Sequence, residues 1–565
     1  MTFRIGLFQF ELSHPNNAPH MGSCLIAPDL IADGHEVDAC LVGCHHVPDL
    51  LRRIDERGYN LIGLDSIFPI NVVNQIKDAF PRLPLVVGGV NALALFLAST
   101  ADLAVVGPGR RAMRALAGTL AAGTSLSAVP NLFFRIGEHP ARRESGEGIS
   151  AGEVTGGEDP GGAAARPIDH SGTTRRWDVR EEVLPYEPHL DWDYLGTGRD
   201  PAAGRHLLSV VPEFGCPYME DALVLPEFEA IEAGESAGHL LDHLRLSPRA
   251  EAAMQPFVEN TRGCSFCVFR FQDFTIMDAE RTVDIVLTQI RHLHRITGAR
   301  DFSLQTENPF RILRLLVTRL QAEGPAVERI AIRTFASVLL AKADEFRRVL
   351  EVARAGGMQL VLQQVGFENF DQRHLDIFNK GISVEENLRA ARLLSELKHE
   401  FADTIEPFTG HGLILFDPWT TIEDLDRNVR AIEQDAPFLM PAVGINSKLV
   451  FYDPFNPIYR KARKEGLVVP SSHDYGWDFR FADSRTTDFV QMVLALERRL
   501  HRRLAAAGRD DATPSSRGYR SFEILLFRRA LESYIAHDGD PTGQREGFVA
   551  LSRWIDQEVE SGQTG

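Results

Sequence analysis

Short apolar runs alternate with amphipathic stretches along the first 136 residues. Five apolar runs are predicted as strands, at residues 3–8, 37–42, 61–66, 85–89 and 103–106. Stretches of helical period lie between them, at residues 28–32, 49–55 and 72–80. Strands that alternate with helices predict a doubly wound, flavodoxin-like parallel sheet.

Small residues stand where the predicted strands of this sheet end. They are Ser66, Gly88, Gly89, Gly107 and Gly109. Open α/β sheets bind their ligands in a crevice outside the carboxyl ends of the strands. We therefore expect these five residues to line a ligand-binding crevice.

A second α/β series begins near Phe257. Its predicted strands lie at residues 301–304, 330–334, 360–365, 412–416 and 443–451. Helical patterns precede these strands, at residues 279–295, 311–323, 342–355, 384–398 and 422–434. About six βα units of this size predict a partial or full (β/α) barrel, whose chemistry belongs at the carboxyl ends of its strands. Beyond residue 488 the pattern is mostly helical.

The pattern between the two series is weak. Residues 138–166 are rich in Gly, Glu and Ala and predict a flexible linker, and residues 183–259 are rich in Pro and acidic side chains. We therefore divide the chain into four parts. These are an α/β domain at 1–136, a linker and bridging region at 137–255, a barrel at 256–470 and a helical region at 471–565.

Charge narrows the classes of partner. The 565-residue chain has a formal net charge of −18, and its one basic cluster, at residues 498–503, alternates with Leu and Ala as a solvated helix face does. Nucleic-acid binding needs a clustered basic face, so it is not expected here.

Apolar runs and cysteine content indicate the compartment. The sequence contains no run of eighteen apolar residues, so it predicts no membrane span. The apolar run at the N-terminus is too short for a signal peptide. Six cysteines in a large chain of this kind indicate a reducing, cytoplasmic location, where cysteine pairs serve metal or redox chemistry rather than disulfides.

Cys264 and Cys267 form a C-x-x-C pair in the loop before the helix predicted at residue 279. Such a pair can be half of a zinc site, a redox dithiol, part of an iron–sulfur motif or two buried cysteines. No second C-x-x-C or H-x-x-x-H follows to complete a zinc knuckle. The neighbouring residues decide among these readings.

The loop Thr261-Arg262-Gly263-Cys264-Ser265-Phe266-Cys267 resembles the opening of the radical S-adenosylmethionine (SAM) superfamily. Further segments resemble that superfamily in order along residues 255–470. They are Val365-Gly366-Phe367-Glu368, Asn379-Lys380-Gly381-Ile382, Gly412-Leu413-Ile414-Leu415-Phe416-Asp417-Pro418, Phe451-Tyr452-Asp453-Pro454 and Gly466-Leu467. Upstream, Gly63-Leu64-Asp65-Ser66 and Val87-Gly88-Gly89-Val90-Asn91 resemble the cobalamin-binding domain often fused before such barrels.

This resemblance implies a cobalamin-dependent radical SAM enzyme. It implies a [4Fe–4S] cluster on Cys264 and Cys267, with SAM near Gly366, Glu368 and Glu307. It also implies cobalamin in the crevice of the N-terminal sheet. The implied reaction is a C-methylation or a related radical transformation of a small molecule or peptide in natural-product or modified-peptide biosynthesis. The implied electron donor is a flavodoxin or ferredoxin.

Other readings of three carboxylates stay open. Glu307 can cap the helix that follows it, and Glu368 can serve a structural hydrogen bond. Asp417, before a proline, is predicted to shape a turn at a strand end rather than to act as a base.

The cysteine motif departs from the family. Members carry C-x-x-x-C-x-x-C, whereas here the first position falls on Asn260, or else four residues around the middle cysteine are absent. A two-thiolate site can bind a cluster poorly, recruit a distant ligand or bind none. Cys216, in Phe214-Gly215-Cys216-Pro217-Tyr218, is the nearest further thiol along the chain.

The corrin domain departs as well, since no Asp-x-His-x-x-Gly motif offers a histidine to cobalt. The run Cys40-Leu41-Val42-Gly43-Cys44-His45-His46 offers either a metal contact or small buried cysteines beside a polar loop. Two further functions therefore stay open. One is a degenerate relative that binds cobalamin, SAM or a biosynthetic partner, and the other is polar methyl transfer through cobalamin.

Overall fold

The computed structural model describes most of the chain. The described residues are 2–11, 21–43, 46–136, 166–173, 193–195, 207–212, 216, 218, 228, 236–259, 262–267, 277–406, 411–451, 453–469, 477–507 and 517–561. The predicted linker at 138–166 lies almost wholly outside them. Within these ranges no helix combines the length and apolar character that a membrane crossing requires.

The N-terminal half is built on one eight-stranded sheet with the order β7-β6-β5-β4-β3-β1-β2-β8. Its strands are β1 (Arg4–Glu11), β2 (Glu36–Gly43), β3 (Leu61–Asp65), β4 (Leu85–Gly88), β5 (Leu103–Val105), β6 (Leu132–Arg135), β7 (Ile168–His170) and β8 (Asp193–Leu195). Strands β2, β1, β3, β4 and β5 are parallel neighbours, which is the flavodoxin-like order. The predicted doubly wound sheet is confirmed.

Helices cover both faces of this sheet because its strands alternate their apolar side chains. The helices are α1 (Met21–Ala32), α2 (Val47–Arg57), α3 (Ile70–Ala79), α4 (Ala92–Ala98) and α5 (Gly109–Ala122), followed by a 3-10 turn at Leu126–Ala128. In β1, Ile5 packs in the core with α1 and α5, whereas Phe8 packs in the opposite core with α2, α3 and α4. This two-sided burial is what a parallel sheet requires.

The second half is built on five parallel strands whose spatial order follows their chain order. They are β9 (Leu208–Val210), β10 (Asp301–Leu304), β11 (Arg329–Phe335), β12 (Gln359–Glu368) and β13 (His411–Leu413). Beyond β13, a parallel bridge joins Phe416 to Lys448 where the sequence predicts a longer strand at 443–451. The sheet is therefore a partial barrel.

The first strand of this sheet differs from the sequence prediction. The apolar pattern puts the start of the series near Phe257, but the structure puts it at β9, inside the predicted bridging region. A three-residue strand is too short to give a period, and only its pairing with β10 reveals it.

Helices and short 3-10 turns fill the rest of the barrel region. They are α6 (Ala237–Leu240), α7 (Pro248–Glu259), α8 (Ala279–Thr297), Pro309–Arg311 (3-10), α9 (Leu313–Glu323), α10 (Ala336–Ala341), α11 (Ala343–Ala355), α12 (Gln372–Ile377), α13 (Val384–Glu400), α14 (Ile422–Asp435), Pro437–Ala442 (3-10) and α15 (Pro457–Lys464). Two short antiparallel strands follow, β14 (Val468–Val469) and β15 (Asp478–Phe479).

Shared apolar cores and one hydrogen bond join the two halves. Leu25, in the early part of α1, belongs to the apolar core of the barrel. Met254 of α7 belongs to a core of the N-terminal sheet, and Phe455 belongs to the same core. The buried Arg460 of α15 donates to the Val258 carbonyl at 2.8 Å. The segment at 236–259 therefore connects the barrel with the N-terminal sheet.

The C-terminal region is helical, as predicted, with α16 (Ser484–Ala506), α17 (Arg517–Ala536) and α18 (Pro541–Ser561). The basic cluster lies on α16, where Arg499 pairs with Asp556 at 2.5 Å and Arg503 pairs with Glu560 at 2.7 Å. These acidic partners belong to α18. The cluster thus holds two helices together.

A buried histidine fixes the turn after β13 to α12. His374 is fully buried, and its Nδ1 lies 2.5 Å from Asp417 Oδ2 while its Nε2 lies 3.1 Å from Asp424 Oδ2. Burial alone would lower the pKa of His374, but the two carboxylates outweigh it and raise the pKa to about 9. Asp417 also accepts from the Trp419 amide at 2.8 Å, which agrees with its predicted role in a turn.

The imidazolium of His374 makes stability depend on pH. The folded pKa of about 9 exceeds the ordinary value of 6.5, so the stabilisation is complete below pH 6.5 and lost as pH rises through 9. We expect its loss to remove about 3 kcal/mol of the unfolding free energy. Urea unfolding between pH 6 and about 9.5 compares the wild type with His374→Gln. The variant should be less stable and show a flatter profile, and parallel profiles would contradict this assignment.

Candidate functional site

A buried carboxylate stands at the carboxyl end of the barrel sheet. Glu368 ends β12 with a φ of 62°, a left-handed backbone conformation that residues other than glycine rarely adopt. A Cβ on Gly366 would lie 2.6 Å from this carboxylate, and a Cβ on Gly412 would lie 2.9 Å from it. The glycines of the two motifs therefore provide the space in which the Glu368 carboxylate sits.

Lys380 is the cation facing this carboxylate. Its Nζ lies 3.2 Å from Glu368 Oε1, and the two side chains are only 6% and 9% exposed. The ammonium also lies 5.1 Å from the centre of the Phe335 ring. Burial opposes the charge of Lys380, but the nearby Cys264 and the Glu368 carboxylate outweigh burial and raise the lysine pKa. Lys380 is therefore a buried ammonium between a carboxylate and a thiol.

The C-x-x-C loop is fastened to the segment after α12. Ser265 donates from its amide to the Phe378 carbonyl at 3.0 Å and from its hydroxyl to the Ile377 carbonyl at 2.7 Å. Asn379 donates from Nδ2 to the Gly263 carbonyl at 2.7 Å. Cys264 is buried and Cys267 is partly exposed. The two predicted metal-ligating thiols are thus held rigidly at the barrel mouth.

A third thiol, which is buried, and a tyrosine lie close to this loop. Tyr218 donates from its hydroxyl to the Asn379 carbonyl at 3.0 Å. It lines one cleft together with Cys264, Gly366 and Lys380. Cys216 is buried, and its burial raises its pKa to about 12, with contributions from the nearby Glu307 and Cys264. Sequence analysis named Cys216 only as the nearest further thiol that could serve as a distant ligand, and it did not indicate Tyr218.

Glu307 follows β10, as predicted, but it caps no described helix. Its Oε1 lies 3.5 Å from Arg333 Nη2, and it acts electrostatically on Cys216. The structure therefore puts Glu307 near Cys216. What it binds remains a prediction.

The predicted crevice residues lie at the carboxyl edge of the N-terminal sheet. Ser66 Oγ accepts from the Asn91 amide at 3.1 Å, and a Cβ on Gly89 would lie 2.8 Å from that oxygen. Gly89 has a φ of 106°, which only glycine adopts readily. Gly88 faces open space within 4 Å of its Cβ position. Ser66 and the two glycines are thus brought together.

The other two predicted crevice residues lie along the same edge. Gly107, with a φ of 102°, approaches the Asn131 side chain, and Gly109 begins α5 against Ile26 of α1. Their positions agree with the crevice that the strand ends predict.

Two polar atoms at this edge have no hydrogen-bond partner among the described residues, Asp65 Oδ2 and Asn91 Oδ1. Burial raises the pKa of Asp65 well above its ordinary value, although the Ile67 and Phe10 amides oppose the rise. Buried polar atoms are normally satisfied, so this edge has spare capacity for a polar ligand. Sequence analysis marks Asp65 only as part of the motif Gly63-Leu64-Asp65-Ser66 at a strand end.

The alternative metal contact near β2 is in part accounted for. Cys40 is buried in an apolar core, and His46 Nδ1 lies 2.7 Å from Asp49 Oδ2. Cys44 and His45, like Asn260 in the cysteine motif, lie outside the described residues.

One acidic cluster has the spacing of a metal site but the charges of a structural network. Ligand atoms of Asp371, His374 and Asp424 lie within 4.8 Å of one another. Arg373 and Arg427 pair with Asp424, and Arg427 Nε lies 2.8 Å from Asp371 Oδ2. These guanidinium groups already neutralise the carboxylates, so the cluster stabilises the fold.

The donor sets suit the implied cofactors. Thiols beside a buried cation suit an iron–sulfur cluster, and the Glu368 carboxylate between two glycines suits the amine or hydroxyls of SAM. The glycine-rich edge with unsatisfied Asp65 and Asn91 suits a large polar cofactor such as cobalamin.

No protein-family model matches this chain, and a search of characterised proteins by sequence returned no match. Solved structures are similar. The cobalamin-dependent SAM radical enzyme OxsB with aqua-cobalamin and SAM bound matches at a TM-score of 0.58 and 12% identity, over 99% of this chain and 75% of that one. Apo OxsB matches at a TM-score of 0.61 and 12% identity, over 99% and 80%. The radical SAM methyltransferase TsrM from Kitasatospora setae matches at 0.46 and 16%, over 77% and 73%.

The likeness to OxsB covers both sheets. It confirms, for the fold, the resemblance to cobalamin-binding radical SAM proteins that the motifs indicate.

The pairing of Lys380 with Glu368 predicts a strongly coupled double-mutant cycle. Lys380→Met should lower the unfolding free energy by about 3–5 kcal/mol, because it leaves a buried carboxylate without its counter-charge. Adding Glu368→Gln should recover most of that loss. The pair Lys461 and Glu465, 2.8 Å apart and more exposed than Lys380 and Glu368, is the control and should couple by less than about 1 kcal/mol. Additive effects of Lys380→Met and Glu368→Gln would refute the buried pair.

Proposed function

We propose that this protein is a cobalamin-dependent radical SAM enzyme. Its reaction is a C-methylation or a related radical transformation of a small molecule or peptide, in natural-product or modified-peptide biosynthesis. One observation carries the proposal: thiols, a carboxylate between two glycines and a cation lie together at the carboxyl end of a parallel barrel. That is the end at which barrel enzymes do their chemistry.

The proposed SAM site is centred on Glu368. Gly366 and Gly412 leave room beside its carboxylate, and Gln364 lies within 3.4 Å of the Cβ position of Gly412. The ion pair with Lys380 holds the Glu368 carboxylate in place. In this role Glu368 accepts from the SAM amine or hydroxyls, and Glu307 meets SAM or substrate.

The proposed cluster site contains Cys264 and Cys267. The hydrogen bonds of Ser265 and Asn379 hold this loop against the segment after α12, so the thiols are positioned before iron arrives. When bound, the reduced cluster and SAM supply a deoxyadenosyl radical, and methylcobalamin supplies a methyl group. A flavodoxin or ferredoxin is the proposed electron donor.

The proposed cobalamin site is the crevice at Ser66, Gly88, Gly89, Gly107 and Gly109. Its neighbour α1 begins at this edge of the sheet and contributes Leu25 to the barrel core, so the crevice and the barrel share a helix. OxsB, which has the same fold, has been solved with aqua-cobalamin and SAM. On this basis we propose residues 1–136 as the cobalamin domain, 137–255 as the linker and bridging region, 256–470 as the SAM barrel and 471–565 as the helical C-terminal region.

One observation favours a second function. Lys380 already gives Glu368 a cation, in the position where an amine of SAM would bind. If that pair does not open, the protein is a degenerate relative that binds cobalamin or a biosynthetic partner without cleaving SAM.

Anaerobic reconstitution with iron and sulfide separates the two functions. We expect about four irons per chain and an S = ½ EPR signal of the dithionite-reduced protein that SAM perturbs. The double variant Cys264→Ala, Cys267→Ala should lose the iron while its circular dichroism stays that of the wild type. Folded wild-type protein that binds no iron would refute the radical mechanism and support the degenerate relative.

A bulky side chain at Gly88 tests the crevice. Its Cβ position is open, so Gly88→Phe should leave the fold intact while filling the space proposed for the corrin ring. We expect at least a tenfold loss of hydroxocobalamin affinity, about 1.4 kcal/mol, in a spectrophotometric titration. Gly118→Phe adds the same ring on an exposed face of α5, where the Cβ position is also open, and should bind like the wild type. Equal affinity in both variants would move the cobalamin site elsewhere.

A further inference from the structure

We propose that Cys216 is the third thiolate of the iron–sulfur site, and that it replaces the cysteine missing from the motif around Cys264 and Cys267. This inference rests on the proposed function, because it names a ligand of the same cluster. It differs from the family pattern in that the third thiolate comes from a different loop of the chain.

The topology brings Cys216 to the site. Cys216 follows β9, the first strand of the barrel sheet. It stands six positions after Val210, the last residue of that strand. Parallel strands end at a common edge, so the chain that leaves β9 starts beside the end of β10, on the edge at which β12 also ends. The C-x-x-C loop arrives at the same edge later, after α7.

Asn379 joins the two cysteine segments through separate atoms. Its carbonyl accepts from the Tyr218 hydroxyl at 3.0 Å, and its Nδ2 donates to the Gly263 carbonyl at 2.7 Å. Tyr218 is two residues from Cys216, and Gly263 is the neighbour of Cys264. Asn379 therefore ties the segments that carry the two thiols to one point.

Tight packing supports this arrangement. A Cβ on Gly381 would lie 2.4 Å from the Tyr218 hydroxyl, so the tyrosine occupies the space that a glycine leaves. Gly381 has a φ of 59°, a conformation that also favours glycine. The contact is thus specific to the sequence Asn379-Lys380-Gly381.

Polar and charged groups surround Cys216, whereas a core cysteine packs among apolar side chains. Cys216 is 6% exposed and Cys264 is 8% exposed, and each acts electrostatically on its surroundings at this mouth, which includes Lys380. Cys40, in contrast, packs in an apolar core among the side chains of the N-terminal sheet. Thiols lose their protons when iron binds, and the ammonium of Lys380 offsets part of the resulting negative charge.

The three cysteine sulfurs are not packed together as the ligands of a single ion would be. Among the described residues, only Asp371, His374 and Asp424 bring three ligand atoms within 4.8 Å of one another, so the three cysteine sulfurs are more widely spread. A cubane cluster holds its thiolates on separate iron atoms, whereas zinc holds them on one. Three thiolates leave the fourth iron open for SAM.

The test measures iron in anaerobically reconstituted full-length protein. Cys216→Ser, Cys264→Ser and Cys267→Ser each exchange one sulfur for oxygen, and Cys40→Ser is the control with a buried cysteine outside the site. We expect each of the first three variants to lose most of its iron and the reduced S = ½ signal, while Cys40→Ser keeps both. Circular dichroism and thermal unfolding of each apo variant show whether it folds, and Cys216→Ala serves if the serine variant does not.

The outcomes separate this inference from the proposed function. Wild-type protein with about four irons, and a folded Cys216 variant with the same iron and the same EPR signal, would overturn the role of Cys216 alone. Folded wild-type protein without iron would overturn the proposed function together with this ligand. Loss of iron in the Cys216, Cys264 and Cys267 variants, but not in Cys40→Ser, would establish the three-thiolate site.

Discussion

The chain from the end of β12 to the residues after α12 controls the geometry of the barrel mouth. Its residues form a buried ion pair and bind two separate segments of the chain. Glu368 and Lys380 form a buried ion pair, and Asn379, next to Lys380 in sequence, binds two separate segments. Both Glu368 and Asn379 adopt left-handed backbone conformations, with φ of 62° and 51°. Such conformations cost about 1–3 kcal/mol and persist where the surroundings enforce them.

The same constraint explains the glycines around the site. Gly366 and Gly412 leave room for the Glu368 carboxylate, and Gly381 leaves room for the Tyr218 ring. At each of these three glycines, the absence of a side chain leaves space in which a polar group is buried. Burial then strengthens the ion pair, since the local dielectric is low.

The carboxyl ends of the two sheets differ in whether their buried polar groups already have partners among the described residues. The N-terminal sheet ends in glycines and in polar atoms without partners, which leaves a crevice able to take a large ligand. The barrel ends in thiols and charges that already satisfy one another. The first is prepared to receive a ligand, whereas in the second a ligand has to replace an existing contact, Lys380 with Glu368.

The sequence alone determined the order of the main strands and helices of the two α/β series, because hydrophobic period is a local property that neighbouring residues carry. It also determined the strand-end glycines and the C-x-x-C pair, whose spacing is short. Tertiary structure alone decided that β9 is the first barrel strand, that Lys380 faces Glu368 and that Tyr218 meets Asn379 across 161 positions of sequence. Contacts of that separation depend on how whole elements pack, and no local pattern records them. For this reason the motif showed that a thiolate was missing, and only the fold brought Cys216 close to Cys264.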